Sequence, residues 1–112
     1  MSTTDKLRHK YSYLWNNLFN HPFVKGIGDG TLPLNRFKFY VRQDYVFLIQ
    51  YSRVLALATA KAPELADMEI LTNLLQETLG TEMSLHRTFS KGFGVTPEEM
   101  ERTQLAPTTL AY

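Results

Sequence analysis

Cysteine is absent from the 112 residues. That excludes a disulfide framework, a thiolate metal site and a cysteine nucleophile within this chain. An excess of one charge is lacking too. Lys and Arg number 12 against 11 Asp and Glu, for a net charge of +1. The basic residues are scattered, which argues against a nucleic-acid surface or a polybasic membrane patch. No uninterrupted apolar run approaches membrane-spanning length. The polar stretch from Met1 to Lys10 has no apolar signal core. A cytoplasmic protein is therefore the expectation, with neither nucleic acid nor membrane as partner. Internal repeats and low-complexity segments are also missing, and strand signals are weak.

Helical periodicity is what remains. Apolar residues make up 44% and charged residues 21%, ordinary values for one globular domain. Leu7, Tyr11, Leu14 and Leu18 recur at helical spacing, after N-cap candidates in Ser2, Thr3, Thr4 and Asp5. This first helix is expected to end near Asn20, because Pro22 disfavours helical geometry at His21. A loop is expected from about His21 to Leu34, around Gly26, Gly28, Gly30 and Pro33. The string Gly26-Ile27-Gly28-Asp29-Gly30 superficially resembles a phosphate-binding loop, but it follows no strand and lacks the full spacing. Asn35 is placed as the cap of a second helix running to about Ala62. A third helix is expected from Pro63 or Asp67 to Lys91, with Gly92 as its stop. Thr96 caps a short helix with Pro97 at its first position. Pro107, Thr108 and Thr109 look like the opening of another. A chain ending one turn into a helix looks truncated, since one turn is not stable alone.

On a helical wheel centred on Asp44, residues Phe37, Tyr40, Val41, Phe47, Leu48, Tyr51, Leu55 and Ala58 fall within about 60°. The carboxylate thus sits in an apolar stripe, where losing hydration demands a partner. Three readings compete: a basic partner on another helix, protonation by desolvation, or a ligand-binding role. Tyr40, Phe47 and Tyr51 beside it suit a flat, nitrogen-rich ring, which they can stack on while the carboxylate accepts its N–H groups. The same helix carries a weaker apolar strip of Phe39, Val46 and Leu57, with Ile49 nearby, which reads as a helix either central in its domain or buried in a subunit contact; oligomerisation is preferred. On the third helix the stripe centres on Glu82, with Leu71, Leu75, Thr78, Leu79, Leu85, His86 and Phe89. Glu82 and His86, four apart, read either as metal ligands or as a charge-assisted pair that orients a buried network next to a pocket; the second is preferred. Trp15 and Phe19 read as packing, Met68, Met83 and Met100 as ordinary core or surface fillers, and His9 and His21 have no visible partner.

Several strings then read together: His21-Pro22-Phe23-Val24, Gly26 to Pro33, Phe39-Tyr40-Val41-Arg42-Gln43-Asp44-Tyr45, Glu82-Met83-Ser84-Leu85-His86 and Thr108-Thr109-Leu110-Ala111-Tyr112. In this order and spacing the chain resembles the TenA (thiaminase II) family over essentially its whole length. The resemblance implies an all-α, haem-oxygenase-like helical bundle, truncated after the first three long helices. Residues 1–112 would be the N-terminal half of the domain, with the C-terminal half absent. It also implies an aminopyrimidine aminohydrolase of thiamin salvage, releasing 4-amino-5-hydroxymethyl-2-methylpyrimidine, and a homotetramer. No cofactor and no metal are implied. Asp44 matches the family's pyrimidine-binding aspartate and Tyr112 its pocket tyrosine. Phe47 stands where many members have an activating tyrosine, so it can stack but has no hydroxyl. Tyr51, Glu82 and His86 are further substrate-binding candidates. No catalytic residue is expected here, because the family's nucleophilic cysteine and acidic glutamate lie beyond residue 112. By itself the chain is expected to be inactive. Two other readings are a non-catalytic helical interaction or regulatory protein, and a metal-dependent helical oxidase using Glu82 and His86.

Overall fold

The computed structural model describes residues 1–112, and every regular element is helical. In chain order they are α1 (Thr3–Lys10), α2 (Ser12–Phe19), α3 (Pro22–Asp29), α4 (Leu34–Lys61) and α5 (Leu65–Glu77). A π-helical turn (Thr78–Glu82) follows, then α6 (Met83–Gly92), α7 (Pro97–Glu101) and α8 (Pro107–Ala111). Two compact units divide the chain at Phe37 and Lys38.

In the first unit, Ser2 closes a capping box with Asp5 at the start of α1. The single helix expected to Asn20 is broken at Tyr11, whose backbone leaves the helical region. No residue of α1 or α2 is buried. Trp15 and Phe19 stay partly exposed, with their rings 5.9 Å apart. The Arg8 guanidinium lies 4.7 Å above the Trp15 ring, a cation–π contact.

The expected loop after His21 is instead largely helix. The His21 ring accepts the Phe23 N–H at 3.1 Å through Nδ1, so this histidine does have a partner. Pro22 follows at the first helical position, where its missing N–H costs nothing. The glycines, read as breakers, serve packing and termination. A Cβ on Gly26 would meet the Leu32 main chain at 3.2 Å. Gly30, at φ 77°, ends the helix in the left-handed conformation.

In the second unit α4 carries most of the buried residues, and its buried face includes Val41, Tyr45, Leu48, Ser52 and Leu55. Asn35 lies inside α4 rather than capping it. Met83 of α6 and Met100 of α7 complete the core. Phe39 and Leu57 are exposed, while Val46 is buried. The Thr96 hydroxyl caps α7 as expected, accepting the Glu99 N–H at 3.1 Å. The left-handed glycine after α6 is Gly94, not Gly92.

The third helix is not continuous. At Thr78–Glu82 it widens into a π turn, next to the Thr78 hydroxyl's bond to the Leu74 carbonyl at 2.9 Å. Such a turn inserts one extra residue into the helical phase. Met83 therefore takes the buried place that uniform periodicity assigns to Glu82, which is exposed.

Two predictions follow from this packing. Gly26→Ala should cost about 1–3 kcal/mol by overpacking against Leu32, whereas Gly28→Ala, with nothing near its Cβ, should stabilise by about 0.5 kcal/mol. Opposite shifts in thermal midpoint by circular dichroism would establish this, and equal shifts would refute it. Tyr45 is fully buried and its hydroxyl has no hydrogen-bond partner. Tyr45→Phe should therefore be neutral or stabilising by up to about 1 kcal/mol in urea unfolding; a clear loss of stability would contradict the vacancy.

Candidate functional site

Asp44 projects from α4 at the border between two surfaces. On one side is the buried face through Tyr45 and Leu48. On the other are Tyr40, Phe47 and Tyr51, all partly exposed. The wheel placed Asp44 at the centre of burial; the structure places it at the edge, with 24% of its side chain exposed. The reason is that Tyr40, Phe47 and Tyr51 count as apolar in the pattern yet do not enter the core.

The partner of Asp44 is His86 of α6. Oδ2 of Asp44 lies 2.7 Å from Nε2 of His86. The other ring nitrogen, Nδ1, lies 2.8 Å from the main-chain oxygen of Glu82. Glu82 thus serves His86 through its carbonyl, not through the carboxylate that the spacing singled out. Oδ1 of Asp44 has no hydrogen bond within the chain. No three His, Cys, Asp or Glu side chains converge as a metal-binding group.

Three of the aromatic candidates, Phe47, Tyr51 and Tyr112, come together. Phe47 and Tyr51 stack at 5.9 Å with an interplanar angle of 13°. Tyr112 meets Phe47 edge-on at 5.1 Å. A residue the sequence reading passed over positions that contact. Gln43 is buried, and its amide binds the segment leading into α8 twice. Its Nε2 donates to the Gln104 carbonyl at 2.9 Å, and its Oε1 accepts the Ala106 N–H at 2.9 Å. Gln43 stands in the motif string that carries the resemblance, but spacing assigned it no role. Arg42 supports the same segment, donating from Nε to the Thr103 hydroxyl at 3.1 Å.

Charge and burial act in opposite directions here. The hydrogen bond to Asp44 raises the His86 pKa, burial lowers it, and the Glu82 carbonyl and nearby negative charges raise it, with a net rise. Tyr40 is also raised, first by burial and then by the charges of Asp44 and Glu82. A hollow of about 540 Å³ in the same unit is lined by Tyr45, Arg53, Arg87 and Leu105 among others, without Asp44.

The His86 shift has a definite sign. Its folded pKa lies above the ordinary histidine value of about 6.5, so the stabilisation is complete below that value and is lost as pH rises through the folded pKa. The Asp5 and Asp29 effects, both lowered by hydrogen bonds, lie at the acid end and stay out of this window. Urea midpoints should fall between neutral and mildly alkaline pH in the wild type and stay level in His86→Gln; parallel curves would contradict the pairing.

Comparison with known proteins agrees with this arrangement of helices. The chain is 46% identical over all 112 residues to the aminopyrimidine aminohydrolase of Halalkalibacterium halodurans, covering 50% of that protein. It is 37% identical over all 112 residues to the aminopyrimidine aminohydrolase of Bacillus subtilis, covering 48% of it. The chain thus spans about half the length of the curated relatives it matches. A solved TenA homologue from P. horikoshii superposes with a TM-score of 0.89 at 37% identity, over 97% of this chain and 51% of that one. A structure described as a TenA family transcription regulator, from a Silicibacter species, superposes at 0.90 with 32% identity, over 99% of this chain and 49% of that one. The all-α expectation holds, and the helices are those of the haem-oxygenase-like TenA fold. The family described as TENA/THI-4/PQQC matches residues 8–112, and this chain belongs to it.

Proposed function

We propose that this chain carries the substrate anchor of an aminopyrimidine aminohydrolase of thiamin salvage. The reaction would hydrolyse a C–N bond and release 4-amino-5-hydroxymethyl-2-methylpyrimidine. The observation that carries the reading is Asp44 itself. Its Oδ2 is held by His86, its Oδ1 is uncommitted, and the Phe47–Tyr51–Tyr112 rings stand on the same side of α4. A carboxylate beside stacked rings accepts the N–H groups of an aminopyrimidine while the rings hold its faces. Relatives with the name of that activity, at 37% and 46% identity over the full 112 residues, support the same assignment.

In this reading residues 1–112 act as the N-terminal half of a TenA-like domain. Asp44, Phe47 and Tyr112 contact the substrate, with Tyr51 as a further wall. Phe47 contributes shape and stacking only. Glu82 is exposed, so its part is to hold His86 through its carbonyl. The nucleophile and the acid that protonates the leaving group come from a second segment. The apolar side chains that the second unit exposes, Val54 and Leu57 on α4 and Leu65 and Ile70 on α5, are candidates for covering by that segment or by further subunits of a homotetramer. No helix is long and apolar enough to cross a membrane, which is compatible with the proposed cytoplasmic location.

Calorimetric titration of the aminopyrimidine product tests the anchor. Asp44→Ala should weaken binding by at least about tenfold, the scale of a lost hydrogen bond to a charged group, and Phe47→Ala by a smaller factor. Equal affinity in wild type and Asp44→Ala would rule the anchor out. Hydrolysis should appear only when a complementing segment with a nucleophile is added.

A further inference from the structure

His86 lies between two groups that can only accept. Its Nδ1 is 2.8 Å from the Glu82 main-chain oxygen, and its Nε2 is 2.7 Å from Oδ2 of Asp44. A carbonyl oxygen has no hydrogen to donate, and neither has a carboxylate. Nδ1 must therefore carry a hydrogen. A second hydrogen must lie between Nε2 and Oδ2, because otherwise two lone pairs would face each other at hydrogen-bond distance. With only 11% of the His86 side chain exposed, solvent relieves little of that repulsion. Placing both hydrogens on the ring makes it an imidazolium paired with a carboxylate.

We infer that His86 is the positioning residue of the site: clamped as an imidazolium between the Glu82 carbonyl and Asp44, it fixes Oδ2 and leaves Oδ1 as the acceptor for a ligand N–H. The inference rests on the reading of Asp44 as the substrate anchor. It assigns His86 no contact with the substrate, in contrast to its place among the substrate-binding candidates. The π turn shifts the phase of α6 relative to α5, and so changes which side chains of α6 point inward. The Glu82 carbonyl then lies one ordinary helical turn before His86, while its carboxylate stays exposed.

The groups that face His86 agree. From α4 come the Asp44 carboxylate and the Tyr45 ring, 6.4 Å away centroid to centroid. Tyr40, on the same helix, feels the charges of both Asp44 and Glu82. From the π turn comes the Glu82 carboxylate. Asp44 and Glu82 both favour the cation, and burial alone opposes it. Deprotonation at alkaline pH would remove the hydrogen between Nε2 and Oδ2 and release Asp44 from its fixed rotamer. Ligand affinity should then fall as pH rises through the elevated His86 value.

Two measurements test this, one of which needs no ligand. In the ¹⁵N-histidine spectrum of the wild-type chain, His86 should keep both ring nitrogens protonated to a pH above the ordinary histidine value of about 6.5. Loss of either ring hydrogen at or below that value would overturn the inference. The second is the pH profile of affinity for 4-amino-5-hydroxymethyl-2-methylpyrimidine. Gln can replace the Nε2–H donor without titrating, so His86→Gln should bind within about threefold of wild type at neutral pH and lose the alkaline decline. His86→Leu should bind about tenfold more weakly at every pH, with circular dichroism confirming its fold. The ligand's own protonation is common to wild type and His86→Gln, so the difference between their profiles isolates His86. If His86→Gln binds as weakly as His86→Leu, or keeps the alkaline decline, positioning by the imidazolium is wrong. If Asp44→Ala binds as tightly as wild type, the anchor reading fails and the positioning role with it, while the histidine spectrum still decides where the hydrogens lie.

Discussion

The contact between Asp44 and His86 ties α4 to α6 at the point where the buried face of α4 gives way to its aromatic strip. A carboxylate at such a border is only half hydrated, and it is tolerated because a donor meets it at hydrogen-bond distance. A pair of this kind contributes little net stability compared with well-packed apolar side chains. Its consequence is geometric. One oxygen is committed, the other is open, and the helix that carries the histidine cannot rotate without breaking the pair.

Two local devices make that geometry possible, and neither is an apolar contact. The π turn widens the helix by one residue before α6, which puts Met83 in the core and His86 against Asp44. The Gln43 amide grips the main chain at Gln104 and Ala106, and so sets the approach of α8, whose following residue Tyr112 meets Phe47. Both devices are polar side chains or turns acting on main chain, and Phe47 joins Tyr51 and Tyr112 by ring contacts.

Much of this was legible from the residues. Long stretches of helical periodicity named α4 and the α5–α6 region, and the Thr96-Pro97 pair named α7 with its cap. The motif strings pointed to Asp44, Phe47 and Tyr112 together; the rings of Phe47 and Tyr112 do meet, at 5.1 Å. The misses have physical causes. His21 and Pro22 outweigh two glycines in starting α3, because a satisfied first turn matters more than propensity further along. Periodicity assumes a uniform 100° per residue, so it carried Glu82 inward and could not register an inserted residue.

The sequence alone determined the helical class, the long central helix and the presence of a carboxylate among rings, because these follow from residue types at short, regular spacings. The partner of that carboxylate was left to the tertiary structure. Asp44 and His86 are 42 positions apart, and their meeting depends on how one helix packs on another and on a local departure from α geometry. Neither leaves a periodic trace, since periodicity reports which face is apolar and not which side chain lies opposite.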